Sequence, residues 1–344
     1  MSQAGESLNK GIRTGEARAT PCHCLVALVF LLTLPSLARP QGVSTSELRP
    51  LEPYKISVSV SSVILHATVE NRKGAPVSGL GKDDFQIFED GTPQQIEYYS
   101  HEDIPVTVGL VLDNSGSMAP KRTEVIAAAL MFARSSNPQD QMFVVNFNEH
   151  VTFGLPADTP FTDKTAQLQA ALSKFKTTGE TALYDALAAA IEHLKKGNRD
   201  KKVVIVVSDG GDNASRYNLS QILEMAGKSD AIIYTIGIYT DEDPDQKPEA
   251  LQKLSKATGG EAFFPQSIPD VVPVCERIAH DIREQYTLAY SPANTKQDGA
   301  YRVIQVKATA PDRGRLSVRT RAGYYAPSKP QPLAPTAGSQ SNRP

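Results

Sequence analysis

Between Pro105 and about residue 283, four nearly continuous apolar runs of strand length, VTVGLVLD, QMFVVNF, KKVVIVVSDG and DAIIYTIGI, alternate with stretches of helical periodicity. Runs without polar alternation are expected of strands buried on both faces, and such strands occur in parallel sheets covered by crossover helices. The helical stretches are RTEVIAAALMFARS, DKTAQLQAALSKF and ALYDALAAAIEHLKKG, with further helices expected near 247–257 and 270–283. The pattern predicts an α/β unit, a doubly wound and mostly parallel sheet with helices on both faces.

On either side of this unit the period changes to two. In SVILHATVE, Val63, Leu65, Ala67 and Val69 alternate with Ser62, Ile64, His66 and Thr68, which suits a half-buried strand. DFQIFEDGTPQQIEYYS offers two short strands joined across Asp90-Gly91, a strong hairpin signal. After Ile282, EQYTLAYSP, AYRVIQVKATA and GRLSVRTRAGYY read as three more strands. Neither flank is large enough to fold well alone. One antiparallel β-sandwich assembled from both flanks is therefore expected, with the α/β unit inserted between two of its strands.

The chain of 344 residues also carries two segments of a different kind. Lys10, Arg13 and Arg18 precede the apolar run CLVALVFLLTLPSLA, which ends in the small-residue arrangement of a signal peptidase site at Ser36 and Ala38. The run Leu25–Leu34 is shorter than the roughly 20 residues that cross a bilayer, an uncleaved signal anchor being the alternative to a cleaved signal, and nothing later is apolar enough to span one. The expected organisation is a signal peptide over 1–38, a linker over 39–53, sandwich segments over 54–102 and 284–326 around an α/β domain over 103–283, and a disordered Pro-rich tail over 327–344. Export to the periplasm or the cell exterior follows. Cys22 and Cys24 leave with the signal, so Cys275 remains as a buried small hydrophobe and no disulfide framework exists. Lys and Arg total 36 against 38 for Asp and Glu, which gives no basic excess to hold nucleic acid.

Ligands of a doubly wound sheet collect beyond the carboxyl ends of its strands. Asp113, Ser115 and Ser117 follow the first strand of the unit, Asp209 follows VVIVVS, and Thr181 precedes the helix that begins at Ala182. Two carboxylates and three hydroxyls, with no His or Cys nearby, suit a hard divalent cation rather than zinc: Mg2+ first, with Mn2+ or Ca2+ as alternatives. Held mainly by neutral hydroxyls, such an ion keeps positive charge and an open position for an Asp or Glu carboxylate of a protein partner.

DNSGS, GETALYDA and VVIVVSDGGD, in this order and spacing, resemble the three loops of von Willebrand factor type A domains that carry the metal-ion-dependent adhesion site. The resemblance implies metal ligation by Asp113, Ser115, Ser117, Thr181 and Asp209 and a non-enzymatic binding role. The flanks GAPVSGLGKDDFQIFEDGTPQQIEYYS and YRVIQVKATAPDRGRLSVRTRAGYYAP resemble those of the acidobacterial VWFA-related proteins, a group of exported bacterial proteins.

Other readings compete. Ser115 and Ser117 could cap the helix that follows them. Ser115, Asp209 and His280 stand in the order of an α/β-hydrolase triad, but the nucleophile elbow needs Gly where Asp113 and Ser117 are found. Asp212 and Asn213 read as ordinary loop residues, the acidic stretch 240–246 as a solvated loop, and His66, His150 and His193 as surface or strand residues. An envelope structural or assembly role, with the metal only stabilising the domain, is the alternative to carboxylate recognition.

Overall fold

A computed structural model describes residues 62–239 and 246–328. The signal peptide, the linker, residues 54–61, most of the acidic stretch 240–246 and the tail beyond Ser328 lie outside the described residues.

The chain enters as β1 (Val63–Glu70), β2 (Phe85–Glu89), β3 (Thr92–Gln94) and β4 (Tyr98–Ser100). The α/β unit then runs β5 (Val106–Asp113), α1 (Arg122–Ser135), β6 (Gln141–Phe147), β7 (Val151–Phe153), α2 (Thr165–Ser173) and α3 (Leu183–Leu194). It continues through β8 (Lys201–Ser208), α4 (Leu219–Lys228), β9 (Ala231–Gly237), α5 (Pro248–Thr258), β10 (Ala262–Phe263) and α6 (Val271–Arg283). The chain returns to β structure in β11 (Tyr286–Tyr290), β12 (Tyr301–Ala308), β13 (Ser317–Arg319) and β14 (Gly323–Tyr325).

The six strands of the α/β unit form one sheet in the order β10-β9-β8-β5-β6-β7, parallel except for the edge strand β7. Every residue of β5 and β9 is buried, which is why these strands read as unbroken apolar runs. Gly109 lies at the centre of β5 because the Phe143 ring of β6 crosses over it, and a Cβ there would stand 2.5 Å from the ring. The chain leaves β5 toward β6 and leaves β8 toward β9, so the order reverses between β5 and β8 and their carboxyl ends flank a crevice. No described helix is long and apolar enough to cross a membrane.

The flanks pair with each other in two antiparallel sheets, β13-β1-β11-β4 and β14-β12-β2-β3. Leu65, Ala67 and Val69 of β1 pack with Tyr286 and Leu288 against Phe85, Ile87, Ile304 and Val306 of the facing sheet. The α/β unit is inserted between β4 and β11, which lie side by side, with Thr287 opposite Ser100. The expected β2–β3 hairpin turns on Asp90 and Gly91, both at positive φ as a two-residue type I′ connection requires.

Several elements differ from expectation. The stretch GRLSVRTRAGYY is not one strand: β13 joins the first sheet, and after the turn at Thr320–Ala322 β14 joins the second. The stretch DFQIFEDGTPQQIEYYS holds three strands rather than two, and helix α4 and the short strands β7 and β10 add to the expected elements. His193 is neither a strand nor a surface residue: it is buried on α3, its ring packed among Phe143, Phe153 and Phe161 and its Nε2 2.9 Å from the Pro160 carbonyl. Burial keeps its pKa below the ordinary imidazole value, so it packs there in the neutral form.

Candidate metal centre

At the carboxyl end of β5, Asp113 is turned inward and buried. Its Oδ1 accepts the Ser115 amide at 2.8 Å, an Asx turn that folds the following loop back over the strand end. Its Oδ2 accepts the Ser208 hydroxyl at 2.6 Å from the end of the neighbouring strand β8. Ser115 is extended and makes no capping bond, and α1 begins only after a short 3-10 turn over Gly116–Lys121. The helix-cap reading of these serines is thereby corrected: Ser115 Oγ lies 3.1 Å from Ser117 Oγ, which in turn donates to Asp209 Oδ2 at 2.6 Å. Asp209 is buried, and its Oδ1 accepts the Gly211 amide at 3.1 Å. Ser117 is the exposed member, placing a hydroxyl at the mouth of the cluster.

The loop that carries Thr181 is fastened to both of the others. Thr178 and Gly116 donate to the carbonyls of Asn114 and Gly179 at 2.9 and 3.1 Å, joining it to the β5 loop. Asn213 and Ala214 donate to the Thr181 carbonyl at 3.0 and 3.1 Å, and Asn213 Oδ1 accepts the Thr181 amide at 2.8 Å. Asp113, Ser115, Ser117 and Asp209 are thus linked by direct hydrogen bonds, whereas Thr181 is held through its backbone. Its own hydroxyl has no hydrogen bond among the described residues.

Three residues matter more here than their sequence context suggests. Asn213 fixes Thr181, and Ser208 fixes Asp113. Asp212, also read as loop chemistry, accepts the Tyr184 amide at 2.9 Å and the Ser215 hydroxyl at 2.6 Å, anchoring the β8 loop to the start of α3. Their signal was weak because Ser, Asp and Asn at and beyond a strand end are common turn residues. His280 stands exposed on α6 and shares no hydrogen bond with Ser115 or Asp209 among the described residues, so those three do not assemble as a triad.

Among the described residues no three His, Cys, Asp or Glu side chains gather as a cluster. Any cation here would therefore depend on hydroxyls as well as on the two carboxylates. Burial, reinforced by the Asp209 charge, pushes the Asp113 carboxyl up to about 6, against the opposing hydrogen bonds from Ser115 and Ser208. Two buried carboxylates with hydroxyls between them form a donor set that fits a hard divalent cation.

Doubly wound topology and an oxygen-lined crevice at the β5–β8 reversal define a class, and residues 107–272 match the family of von Willebrand factor type A domains. This central segment has the fold of that family. Comparison with curated proteins finds no match. Among solved structures, a von Willebrand factor type A protein from Catenulispora acidiphila is similar over 79% of this chain and 75% of its own, at 15% identity and a TM-score of 0.47. An aerotolerance-related membrane protein from Bacteroides fragilis is similar over 52% of this chain and 98% of its own, at 14% identity and a TM-score of 0.42. The vWF domain of the type V pili tip protein Mfa5 from Porphyromonas gingivalis is similar over 52% of this chain and 95% of its own, at 14% identity and a TM-score of 0.43.

Proposed function

We propose that this protein is an exported, non-enzymatic binding protein whose von Willebrand A domain holds Mg2+ at Asp113, Ser115, Ser117, Thr181 and Asp209 and recognises a carboxylate of a protein partner. The observation that carries this reading is the hydrogen-bonded chain Ser115–Ser117–Asp209 at the crevice beside buried Asp113. When bound, the ion supplies residual positive charge and an open coordination position.

The residues divide the work by charge and position. Asp113 and Asp209 bring the negative charge that selects a cation, while Ser115, Ser117 and Thr181 add neutral oxygens that leave its charge incompletely neutralised. Ser117 sits at the solvent side, where a partner's Asp or Glu arrives. Ser208 and Asn213 orient Asp113 and Thr181. The segment 1–38 is proposed as the export signal, and its removal would leave the sandwich and the α/β domain as the mature protein.

Calorimetric titration with Mg2+ tests the site. Wild type should bind one ion, and Asp113→Ala and Asp209→Ala should abolish the heat while leaving the circular dichroism spectrum unchanged; undiminished affinity in both variants would refute the assignment. Partner capture from envelope extract should be lost with EDTA and in Asp209→Ala alike.

A further inference from the structure

A cleft of about 470 Å3 opens where the sandwich meets the α/β unit, bordered by Ile64, His66, Gly227, Ile232, Tyr324 and Tyr325. Its size is that of a ligand pocket. On the β11 side, β1 pairs over Val63–Ala67, but on the β13 side it pairs only over Thr68–Glu70. Among the described residues the Val63–Ala67 edge is therefore open, and an open strand edge accepts an extended chain.

The charged groups that border the cleft are of both signs and select no anion: Asp200 and Asp230 stand there with Lys228, Lys296 and Arg321, and Lys228 pairs with Glu224. Arg321 is engaged by the Gly227, Ser229 and Gly323 carbonyls and by Asp230. His66 Nδ1 lies 3.2 Å from Thr287 Oγ1, and burial, aided by the Lys201 and Arg321 charges, holds its pKa well below the ordinary value, so the imidazole is neutral. Neutral imidazole, two tyrosine rings and aliphatic walls suit an apolar, extended occupant.

The path of the chain identifies that occupant. The Ala326 amide donates to the Ala300 carbonyl at 2.9 Å, the Gly299 amide donates to the Pro327 carbonyl at 3.3 Å, and Ser328 lies opposite Asp298 in an antiparallel bridge. Residues 294–297, the next along this antiparallel direction from Asp298, form one wall of the cleft. The next residues are KPQPLAP, 329–335. Pro330 and Pro332, at alternate positions from Ser328, have no N–H with which to extend the ladder, and their fixed φ favours a polyproline helix. Such a helix rises about 3.1 Å per residue, so 329–333 would reach about 15 Å, and aromatic-lined grooves are the usual seats of Pro-rich segments.

We propose that residues 329–335 of the same chain dock in this cleft as a built-in ligand, with Leu333, the one large apolar side chain after Ser328, seated against its aliphatic wall. The tail would thereby brace the sandwich against the α/β domain at the edge that β13 leaves open.

Paramagnetic relaxation in the full chain tests the proposal. With Cys22→Ser and Cys24→Ser in place, a nitroxide is attached at Thr336→Cys; Cys275 is buried and its thiol is pushed up to about 12, so it stays unmodified. Amide signals of Ile64, Gly227 and Ile232 should lose most of their intensity, recover on reduction of the nitroxide, and behave identically when the labelled chain is diluted tenfold with unlabelled chain. Adding Pro332→Gly and Leu333→Asp should restore them without disturbing the rest of the spectrum. Full intensity at all three amides would overturn the proposal, and so would broadening that disappears on dilution, which would assign the cleft to the tail of a second copy.

Discussion

Arg319 of β13 reaches across the seam between sandwich and α/β unit to Asp281 of α6, with Nη2 2.9 Å from Oδ2. Asp281 is buried and accepts a second bond, at 2.6 Å, from the Tyr234 hydroxyl of β9, which in turn accepts one from Gln285 Nε2 at 3.1 Å. Glu70 of β1 and Glu261 flank the same guanidinium at 3.4 and 3.1 Å. One arginine of a flanking segment thus ties the last helix of the inserted unit to the sandwich. Removing one partner of a buried pair leaves the other charge uncompensated, at a cost of about 3–5 kcal/mol. Arg319→Ala should lower the urea midpoint of the whole chain accordingly, and Arg319→Lys should recover only part, because Lys cannot serve Asp281, Glu261 and the Gly259 carbonyl with one planar fork. An unchanged midpoint in Arg319→Ala would show that the seam is held elsewhere.

At the candidate metal centre, function and stability should pull apart. A carboxylate raised from about 3.8 to about 6 carries at pH 7 an ionisation penalty of at most about 3 kcal/mol in the cation-free protein. Asp113→Asn removes that charge while keeping an oxygen for the Ser115 amide, and the Ser208 hydroxyl can turn to accept from the new amide. In EDTA the variant should therefore melt above wild type. Addition of Mg2+ should raise the wild-type melting temperature and leave that of the variant unmoved. A variant that melts lower in EDTA would mean that Asp113 is needed as an acceptor more than it is penalised as a charge.

What could be read in the sequence follows from burial. Strands β5, β6, β8 and β9 are covered on both faces, so their runs and the loops at their carboxyl ends are legible in the sequence. Helix α4 is only ten residues long and buries only Ile222, Ala226 and Gly227, so its apolar period is too brief to stand out. Its signal lay before it: the Asn218 side chain accepts from the Gln221 amide while the Gln221 side chain returns to the Asn218 amide, a capping box spelled N-L-S-Q. The split between β13 and β14 was hidden because no Gly or Pro marks Thr320–Ala322; the chain changes sheets there under tertiary constraint, with Arg321 drawn to the Gly227 and Ser229 carbonyls at the end of α4. At the site, side-chain identities pointed to the ligands, but the roles of Ser208 and Asn213 depend on which loops touch, and that is a property of the fold.

Acid stability should report Asp140. It follows α1 and accepts the Val106 amide on Oδ1 at 2.8 Å and the Asn137 amide on Oδ2 at 3.1 Å, yet burial outweighs these bonds and raises its carboxyl to about 6. With the folded pKa above the unfolded one, the native state binds more protons between about pH 4 and 6, so this group's contribution to stability falls as pH rises through that window. Asp140→Asn should flatten the fall. Measured in EDTA, the difference in unfolding free energy between wild type and variant should change by up to about 3 kcal/mol from pH 4 to pH 7. A constant difference would place the Asp140 carboxyl at its ordinary value.

The last prediction concerns the strand that presents the site. Gly109 sits in the middle of β5, opposite Phe143 of β6, and a Cβ added there would stand 2.5, 2.9 and 3.2 Å from three atoms of that ring. The ring cannot simply swing aside, because it also packs against Phe153, Phe161 and His193. Overpacking of this kind costs about 1–3 kcal/mol. Gly109→Ala should lower the melting temperature, and because β5 also delivers Asp113, it should weaken Mg2+ binding although no ligand is changed. Restoring space with Phe143→Leu in the same chain should recover part of both losses, a coupling that independent sites would not show. If the double variant is simply the sum of the two single ones, the ring over Gly109 is not what fixes the strand.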